Sequence, residues 1–145
     1  MAGVFMLKKM KKLIFLPIML VMLFGLAACS FGDAGDNDEG KPIDFTVVEE
    51  ADLPEQLLKI INEKKANPFK LTYTNDDYLY IAQGYGAQKT GGYSVVVESL
   101  ELEDGQIVFD TELIGPSENE AVQQMVTYPY VVVKLEPMDN TVVFD

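Results

Sequence analysis

From Pro68 onward the chain alternates apolar and polar residues with a period of two, the pattern of half-buried β-strands. The alternation is clearest over residues 107–113, where Ile107, Phe109 and Leu113 fall on one face. Residues 130–135 are apolar on both faces, so we expect this strand to lie centrally in its sheet. In total the pattern predicts seven strands, within residues 43–48, 71–73, 78–82, 93–102, 107–113, 130–135 and 141–144.

One helix is predicted between the first two strands. Asp52 and Glu55 have the spacing of a capping box, and Pro54 would fall in the first turn, where its missing N–H costs nothing. We expect the helix to end at Asn67 and Pro68. A single apolar stripe gives this helix a face to bury: Leu53, Leu57, Ile60 and Ile61, with Leu58 beside it.

These elements predict a mainly β, α+β fold. The expected architecture is an antiparallel sheet, as a small sandwich or barrel of about seven strands, with the one N-terminal helix packed on it. Val97 and Leu100 have opposite parity, which a β-bulge near Glu98 and Ser99 would reconcile. The Asp104-Gly105 pair is typical of a hairpin turn.

The composition excludes several classes of enzyme. The sequence has no His, no Arg, no Trp and a single Cys. It therefore has no Ser-His or Cys-His nucleophile pair, no Cys-cluster zinc site and no intramolecular disulfide. We expect an interaction module and not an enzyme, with no cofactor and no bound metal.

The first 29 residues resemble a bacterial lipoprotein signal. Four Lys precede the uncharged apolar run at residues 13–28. Leu26-Ala27-Ala28-Cys29 resembles a lipobox, which implies that Cys29 is diacylated and becomes the mature N-terminus. The alternative is an uncleaved signal anchor with an incidental Cys. The interpretation predicts a signal peptide at 1–28, a lipidated Cys and flexible acidic linker at 29–42, and one β domain at 43–145. The protein would be held on the extracytoplasmic face of the cell membrane.

Charge is distributed unevenly along the chain. All 23 acidic residues follow Ser30, so the chain from Cys29 onward carries seven Lys and a net charge of −16. A surface this acidic repels nucleic acid, so no nucleic-acid partner is expected. Asp36-Asn37-Asp38 lacks the remaining residues of a calcium loop and is more typical of a solvated linker. A second acidic cluster flanks the predicted hairpin and indicates a solvated face: Glu98, Glu101, Glu103, Asp104, Asp110 and Glu112.

The most distinctive local run is Thr90-Gly91-Gly92-Tyr93, at the end of a glycine-rich loop over residues 84–92. Paired glycines permit positive φ and a close approach of another backbone, so this run is the candidate interaction loop. The alternative is a tight β-turn with Tyr93 packed inward. The loop lacks the following helix and Lys-Ser/Thr pair of a phosphate site. The seven tyrosines suit either an interface or ordinary strands.

The region from about Tyr80 to Leu135 resembles the PrcB C-terminal domain family, named for a protease-complex subunit. The matching residues are Gly84, Thr90-Gly91-Gly92-Tyr93-Ser94-Val95, Pro116, Gln124 and Thr127-Tyr128-Pro129-Tyr130-Val131-Val132-Val133. The resemblance implies a secreted, often lipid-anchored β domain without catalytic residues, acting as an accessory or regulatory subunit of a surface protease complex. Its partner would be an extracytoplasmic protease or another surface protein.

Two alternatives remain open at this point. The glycine loop and the acidic residues could serve a small-ligand or cation-binding lipoprotein. Thr90-Gly91-Gly92-Tyr93 is also similar to a loop of chagasin-type cysteine-protease inhibitors, although the other two inhibitor loops are not evident.

Overall fold

The computed structural model describes residues 40–145. The predicted signal peptide, Cys29 and the linker up to residue 39 lie outside the described residues. The elements are β1 (Lys41–Pro42), β2 (Thr46–Val47), a 3-10 turn (Glu50–Asp52), α1 (Glu55–Lys64), β3 (Pro68–Thr74), β4 (Leu79–Tyr85), β5 (Ser94–Glu103), β6 (Gln106–Ile114), β7 (Tyr130–Leu135) and β8 (Val142–Phe144).

The strands form two four-stranded sheets, in the orders β1-β5-β6-β8 (sheet A) and β2-β7-β4-β3 (sheet B). The mainly β, α+β prediction is therefore confirmed, as two facing sheets and not a closed barrel. One pairing departs from the antiparallel prediction, because β8 runs parallel to β6. Since β7 and β8 belong to different sheets, the short turn between them crosses the sandwich, and β8 enters sheet A in the direction of β6.

The main core lies between the two sheets. Sheet B contributes Leu79, Ile81, Val131, Val133 and Leu135, and sheet A contributes Leu100, Ile107 and Phe109. Phe109 and Ile107 are fully buried, and burial of side chains of this size contributes about 1.5–3 kcal/mol each.

The helix covers the other face of sheet B. Leu57 and Ile61 of α1, together with Leu53, pack on a cluster formed by Phe69, Tyr80, Ala82 and Val132. Sheet B is therefore buried on both faces, which agrees with the predicted central position of β7 between β2 and β4. Among residues 40–145, no helix is long and apolar enough to cross a bilayer.

The helix begins later than the capping-box spacing predicts. Asp52 ends a 3-10 turn, Pro54 occupies the N-cap position of α1, and no side chain caps the first turn. The predicted Asp52–Glu55 capping box is thus wrong, because Pro54 holds an extended backbone (ψ 135°) between the two residues. The predicted end is close to the observed one, since α1 ends at Lys64 and β3 starts at Pro68.

Two local predictions on sheet A are confirmed. The β5–β6 register shifts between Val97 and Ser99, which places the bulge at Glu98. Asp104 and Gly105 both have positive φ (47° and 75°) and form the two-residue hairpin turn.

The pairing of the N-terminal segment differs from the prediction. Residues 43–48 were expected to form one strand, but only Thr46–Val47 pair with β7. The residues before them, Lys41 and Pro42, pair instead with Leu102 and Glu101 of β5. Ordered pairing thus starts within the segment assigned to the linker, two residues before the predicted domain boundary at Ile43.

The sandwich has two distinct ends. The hairpin end carries the Asp104–Gly105 turn, the Asn75–Tyr78 turn between β3 and β4, the Pro137–Asn140 turn and Gly40. The loop end carries the two long connections, loop 86–93 between β4 and β5 and loop 115–129 between β6 and β7.

Candidate functional site

The glycine-rich loop is shorter than predicted. Gly84 and Tyr85 belong to β4, so the connection to β5 spans residues 86–93. Gly84 is required by packing, because the ring of Phe69 occupies the space that a Cβ atom at Gly84 would take. The predicted loop over 84–92 is corrected accordingly, and its first glycine serves the contact between sheet B and the helix layer.

Loop 86–93 is held to loop 115–129 by main-chain hydrogen bonds. Gln88 and Thr127 form a two-bond bridge, with N···O distances of 2.8 and 3.0 Å. The Gly91 N–H donates to the carbonyl of Gln123 at 2.9 Å. The Thr127 hydroxyl donates to the carbonyl of Thr90 at 2.7 Å. The two loops therefore behave as one bonded unit.

Gly92 has the backbone conformation that the sequence suggested for a paired glycine. Its φ is +85°, and a Cβ there would lie 2.8 Å from Val122 Cγ1 and 2.9 Å from Pro116 Cβ. A side chain at this position would be strained by its conformation and would collide with loop 115–129. Gly92 thus allows the two loops to approach closely.

Tyr93 is half-buried, and its ring lies against Gly115, where a Cβ would be 3.2 Å from Cε1. The Thr90–Tyr93 run therefore contacts loop 115–129 through its backbone, its glycines and its aromatic ring. Its features favour a supporting role for the neighbouring loop over a freely presented motif.

The large apolar side chains exposed at the loop end come from loop 115–129 and its flank in β6. We call the group of Ile114, Met125, Val126 and Tyr128 the apolar patch. Met125 and Val126 are each 53% exposed, Ile114 is 40% exposed and Tyr128 is 39% exposed. Sequence reasoning missed this patch; the available signal was the apolar pair Met125-Val126 inside an otherwise polar segment.

Positive charge adjoins the patch. Lys65, just after α1, places its Nζ 5.6 Å from the centre of the Tyr128 ring. Ala66, the next residue, accepts a hydrogen bond from the Ala87 N–H at 3.2 Å, which ties the end of the helix to loop 86–93. A partially exposed aromatic ring beside a cation can bury a large area while its hydroxyl stays in water, as is common at protein interfaces.

Residues 117–127 contain no helix. The Glu120 N–H donates to the carbonyl of Ser117 at 2.9 Å, and the Glu120 carboxylate accepts from the Ser117 N–H at 3.1 Å. This turn satisfies its own polar groups and leaves the patch side chains to project from the following segment.

The acidic residues of the β5–β6 hairpin lie along the two strands of sheet A and at their turn, as predicted. Asp110 pairs across with Ser99, and Glu112 pairs with Val96. Within residues 40–145, no three acidic, His or Cys side chains are grouped in a way that could hold a metal ion. The hairpin acids thus form a charged face of the sandwich.

The tyrosines divide between internal contacts and exposed positions. The Tyr85 hydroxyl bonds the Thr111 carbonyl at 2.7 Å, and the Tyr73 hydroxyl bonds Gln56 at 2.7 Å. The Tyr130 hydroxyl donates to the Glu50 carboxylate at 2.7 Å. Burial raises the pKa of Tyr130 above its ordinary value, and the hydrogen bond to Glu50 and its negative charge raise the pKa further. These three tyrosines fasten elements together, whereas Tyr128 faces the solvent.

A comparison with known protein families finds one match, to the central part of this chain. No curated protein and no solved structure gives a match. The model of the PrcB C-terminal family matches residues 79–136, from the start of β4 to just beyond β7, and includes both loops of the loop end. The resemblance predicted from the sequence is thereby confirmed over residues 79–136, which are similar to the PrcB C-terminal family.

Proposed function

We propose that this protein is a lipid-anchored, extracytoplasmic interaction module that serves as an accessory or regulatory subunit of a surface protease complex. The PrcB C-terminal family is a non-catalytic, accessory type of domain, which supports a role in association. The finer assignment rests on the lipobox-like sequence ending at Cys29 and on the geometry of the loop end.

The observation that carries the proposal is the apolar patch on a bonded pair of loops. Four of the nine large apolar side chains that are exposed among the described residues belong to this end: Ile114, Met125, Val126 and Tyr128. Their loop is held in place by the bonds from Gln88, Thr90 and Gly91. A surface ordered before binding loses less conformational entropy when a partner docks.

The direction in which the chain enters the domain also supports this function. Gly40 lies against Glu101 and Glu103, at the hairpin end of β5. The ten residues of β5 separate the hairpin end from the loop end by about 33 Å. A membrane anchor upstream of Gly40 therefore attaches at one end of the domain, and the patch is at the other end, accessible to a protein partner.

The two alternative functions receive less support. For a cation-binding protein, the described residues offer no suitable metal-ligating group. For a chagasin-type inhibitor, the Thr90–Tyr93 run would have to enter a protease cleft, but its backbone is engaged by loop 115–129. Absence of papain inhibition by the full chain would agree with this ranking.

The lipid anchor is tested by labelling. Cys29→Ala should abolish incorporation of labelled palmitate and leave an unprocessed precursor. Equal labelling of the variant and the wild type would contradict the anchor, whatever the outcome at the patch.

The interaction surface is tested by capture from detergent-solubilised membranes. The double variant Met125→Ala/Tyr128→Ala should weaken retention of a protease-containing partner by at least about tenfold, since exposed aromatic and Met side chains are typical hot spots. The matched control, Val47→Ala/Val143→Ala, removes apolar side chains with 55% and 37% exposure outside the loop end and should bind normally. Equal binding by both double variants would refute the patch as the interaction surface.

A further inference from the structure

The outer edge of β6 is only partly covered. β8 pairs with Ile107, Val108 and Phe109, and the Asp145 N–H donates to the Phe109 carbonyl at 3.1 Å. Among the described residues, no strand lies beside residues 110–114 on this side. We call the space beside these residues the open lane.

The main-chain hydrogen bonds between β6 and β8 show which residues of β6 direct their N–H and C=O groups toward the open lane. Ile107 donates to the Thr141 carbonyl at 2.8 Å and Phe109 accepts from Asp145, so both residues direct their polar groups toward the β8 side. Because this direction alternates along a strand, Thr111 and Leu113 point the same way. The Thr111 carbonyl accepts from the Tyr85 hydroxyl. By the same alternation, we infer that the Thr111 N–H and both polar groups of Leu113 are directed toward the open lane.

A cavity opens on the β3–β4 pair of sheet B, and all of its lining residues come from these two strands. Its volume is about 430 Å³, and its lining includes Lys70, Gln83 and Tyr85. Tyr85 reaches across to Thr111, and the Lys70 ammonium reaches the Phe144 carbonyl at 3.3 Å. Two of the lining side chains, Tyr85 and Lys70, therefore reach toward β6 and β8 of sheet A.

Gln83 gives the cavity an unusual chemical requirement. Gln83 is only 6% exposed, and its Oε1 has no hydrogen-bond partner among the described residues. A buried acceptor without a donor is rare in folded proteins, because it loses its hydration without compensation. The Lys70 ammonium nearby disfavours a cationic donor, so a neutral hydroxyl or amide fits best.

The solvent side of the open lane carries negative charge. Residues 110 and 112 alternate with the inward-facing Thr111, so Asp110 and Glu112 point to the solvent side of sheet A. A strand added beside β6 would place its outward side chains next to these acids and its inward side chains over the cavity.

We propose that the open lane binds an extended peptide segment of a partner protein by β-strand addition. The segment carries basic side chains at alternate positions, facing Asp110 and Glu112, and a Ser, Thr, Asn or Gln between them that donates to Gln83. The main-chain groups of Thr111 and Leu113 supply affinity, and the alternating side chains supply specificity. This site adjoins the apolar patch at Ile114, but its proposed contacts are made by Thr111, Leu113 and Gln83 and do not involve Met125 or Tyr128.

The test uses isotope-labelled full-length protein in a mild detergent, titrated with the peptide acetyl-Lys-Val-Lys-Asn-Lys-amide. The expected result is a salt-sensitive shift of the Thr111 and Leu113 amide resonances in NMR spectra. The matched peptide with Glu in place of each Lys should shift neither. Failure of the Lys peptide to shift Thr111 and Leu113, or equal shifts with the Glu peptide, would overturn the proposal.

The variant Gln83→Leu separates recognition from folding. It removes the buried acceptor with little change in volume, so the melting temperature should rise by about 4 °C or more, while peptide affinity falls at least about fivefold. Thr74→Val, on the same face of β3 and away from the cavity, should change neither quantity. Unchanged peptide affinity in Gln83→Leu would refute the role of Gln83. Met125→Ala/Tyr128→Ala should bind the peptide normally, so failure here is distinguishable from failure at the apolar patch.

Discussion

The hairpin end and the loop end of the sandwich satisfy their backbones in different ways. At the hairpin end, the Asn75 side chain accepts from the N–H groups of Asp77 and Tyr78 at 3.0 and 2.8 Å, within four residues of sequence. At the loop end, Thr127 bonds Thr90 across 37 residues. The first end is therefore determined by local turn chemistry, and the second by the match between two distant loops.

The two ends also expose different side chains. The hairpin end carries four aspartates in its turns (Asp76, Asp77, Asp104 and Asp139) and one exposed aromatic ring, that of Tyr78. The loop end carries the apolar patch, with Glu118 and Glu120 in the same loop. Long loops that are held in place by hydrogen bonds and still expose apolar side chains are typical of binding surfaces. This contrast leads to four predictions, in order of decreasing effect.

The largest effect is expected at Gly92. Gly92→Val should lower the free energy of unfolding by about 2–4 kcal/mol, because the positive φ is strained for valine and the side chain collides with Val122 and Pro116. The control at the hairpin end is Gly105→Asn. A Cβ at this position meets no atom within 4 Å, and asparagine tolerates positive φ. Urea unfolding measures both, and equal losses would show that the two ends do not differ in packing.

The next effect concerns the bond between the loops. Thr127→Val should lower the free energy of unfolding by about 1 kcal/mol, because the partly buried Thr90 carbonyl loses its donor while the side-chain volume is kept. Thr90→Val is the matched control, since it keeps the carbonyl that accepts the bond. A Thr127→Val protein that unfolds at the wild-type urea concentration would show that this bond does not hold the loops.

A pH-dependent effect is expected at Tyr130. Its pKa is raised in the folded protein, so above the ordinary tyrosine pKa of about 10 the unfolded chain loses this proton first and stability falls as the pH rises. Tyr130→Phe should cost about 1 kcal/mol at neutral pH through the lost bond to Glu50, and should reduce the alkaline loss. Unfolding curves between pH 8 and 11 measure this, and an unchanged alkaline slope would contradict the assignment to Tyr130.

The smallest effect on stability is expected for Lys89→Ala and Thr90→Ala. Both should unfold within about 0.5 kcal/mol of the wild type, because neither side chain forms one of the bonds that join the loops. Capture of the partner then locates the contact. Normal binding places it on loop 115–129, as proposed, whereas loss of binding at normal stability would show that the Thr90–Tyr93 run itself touches the partner.

Much of the fold could be predicted because its signals are local. Alternation over residues 107–113 predicted β6, the parity change between Val97 and Leu100 predicted the bulge at Glu98, and Asp104-Gly105 predicted the hairpin. Each depends on residues that are close in sequence, where the period of the chain directly reflects which side is buried.

The remaining features depend on contacts that no local pattern encodes. Gly84 looks like a loop glycine, but the ring of Phe69 from a neighbouring strand makes it a packing position. The parallel pairing of β8 depends on where the turn from β7 delivers the chain, and three residues of alternation fit either direction. The Thr90–Tyr93 run lies in the connection between β4 and β5, and its supporting role depends on the bridge between Gln88 and Thr127.

The short pairing of β1 with β5 has a mechanical consequence. Lys41 and Pro42 lie antiparallel to Leu102 and Glu101, with the upstream chain leaving at the hairpin end. Tension between Gly40 and a partner held at the loop end would run along the strand axes, so it would load the β1–β5 hydrogen bonds in shear, together and not one after another. Because of where the chain enters the sandwich, a pulling force would have to break the β1–β5 hydrogen bonds at the same time, which requires more force than breaking them in sequence.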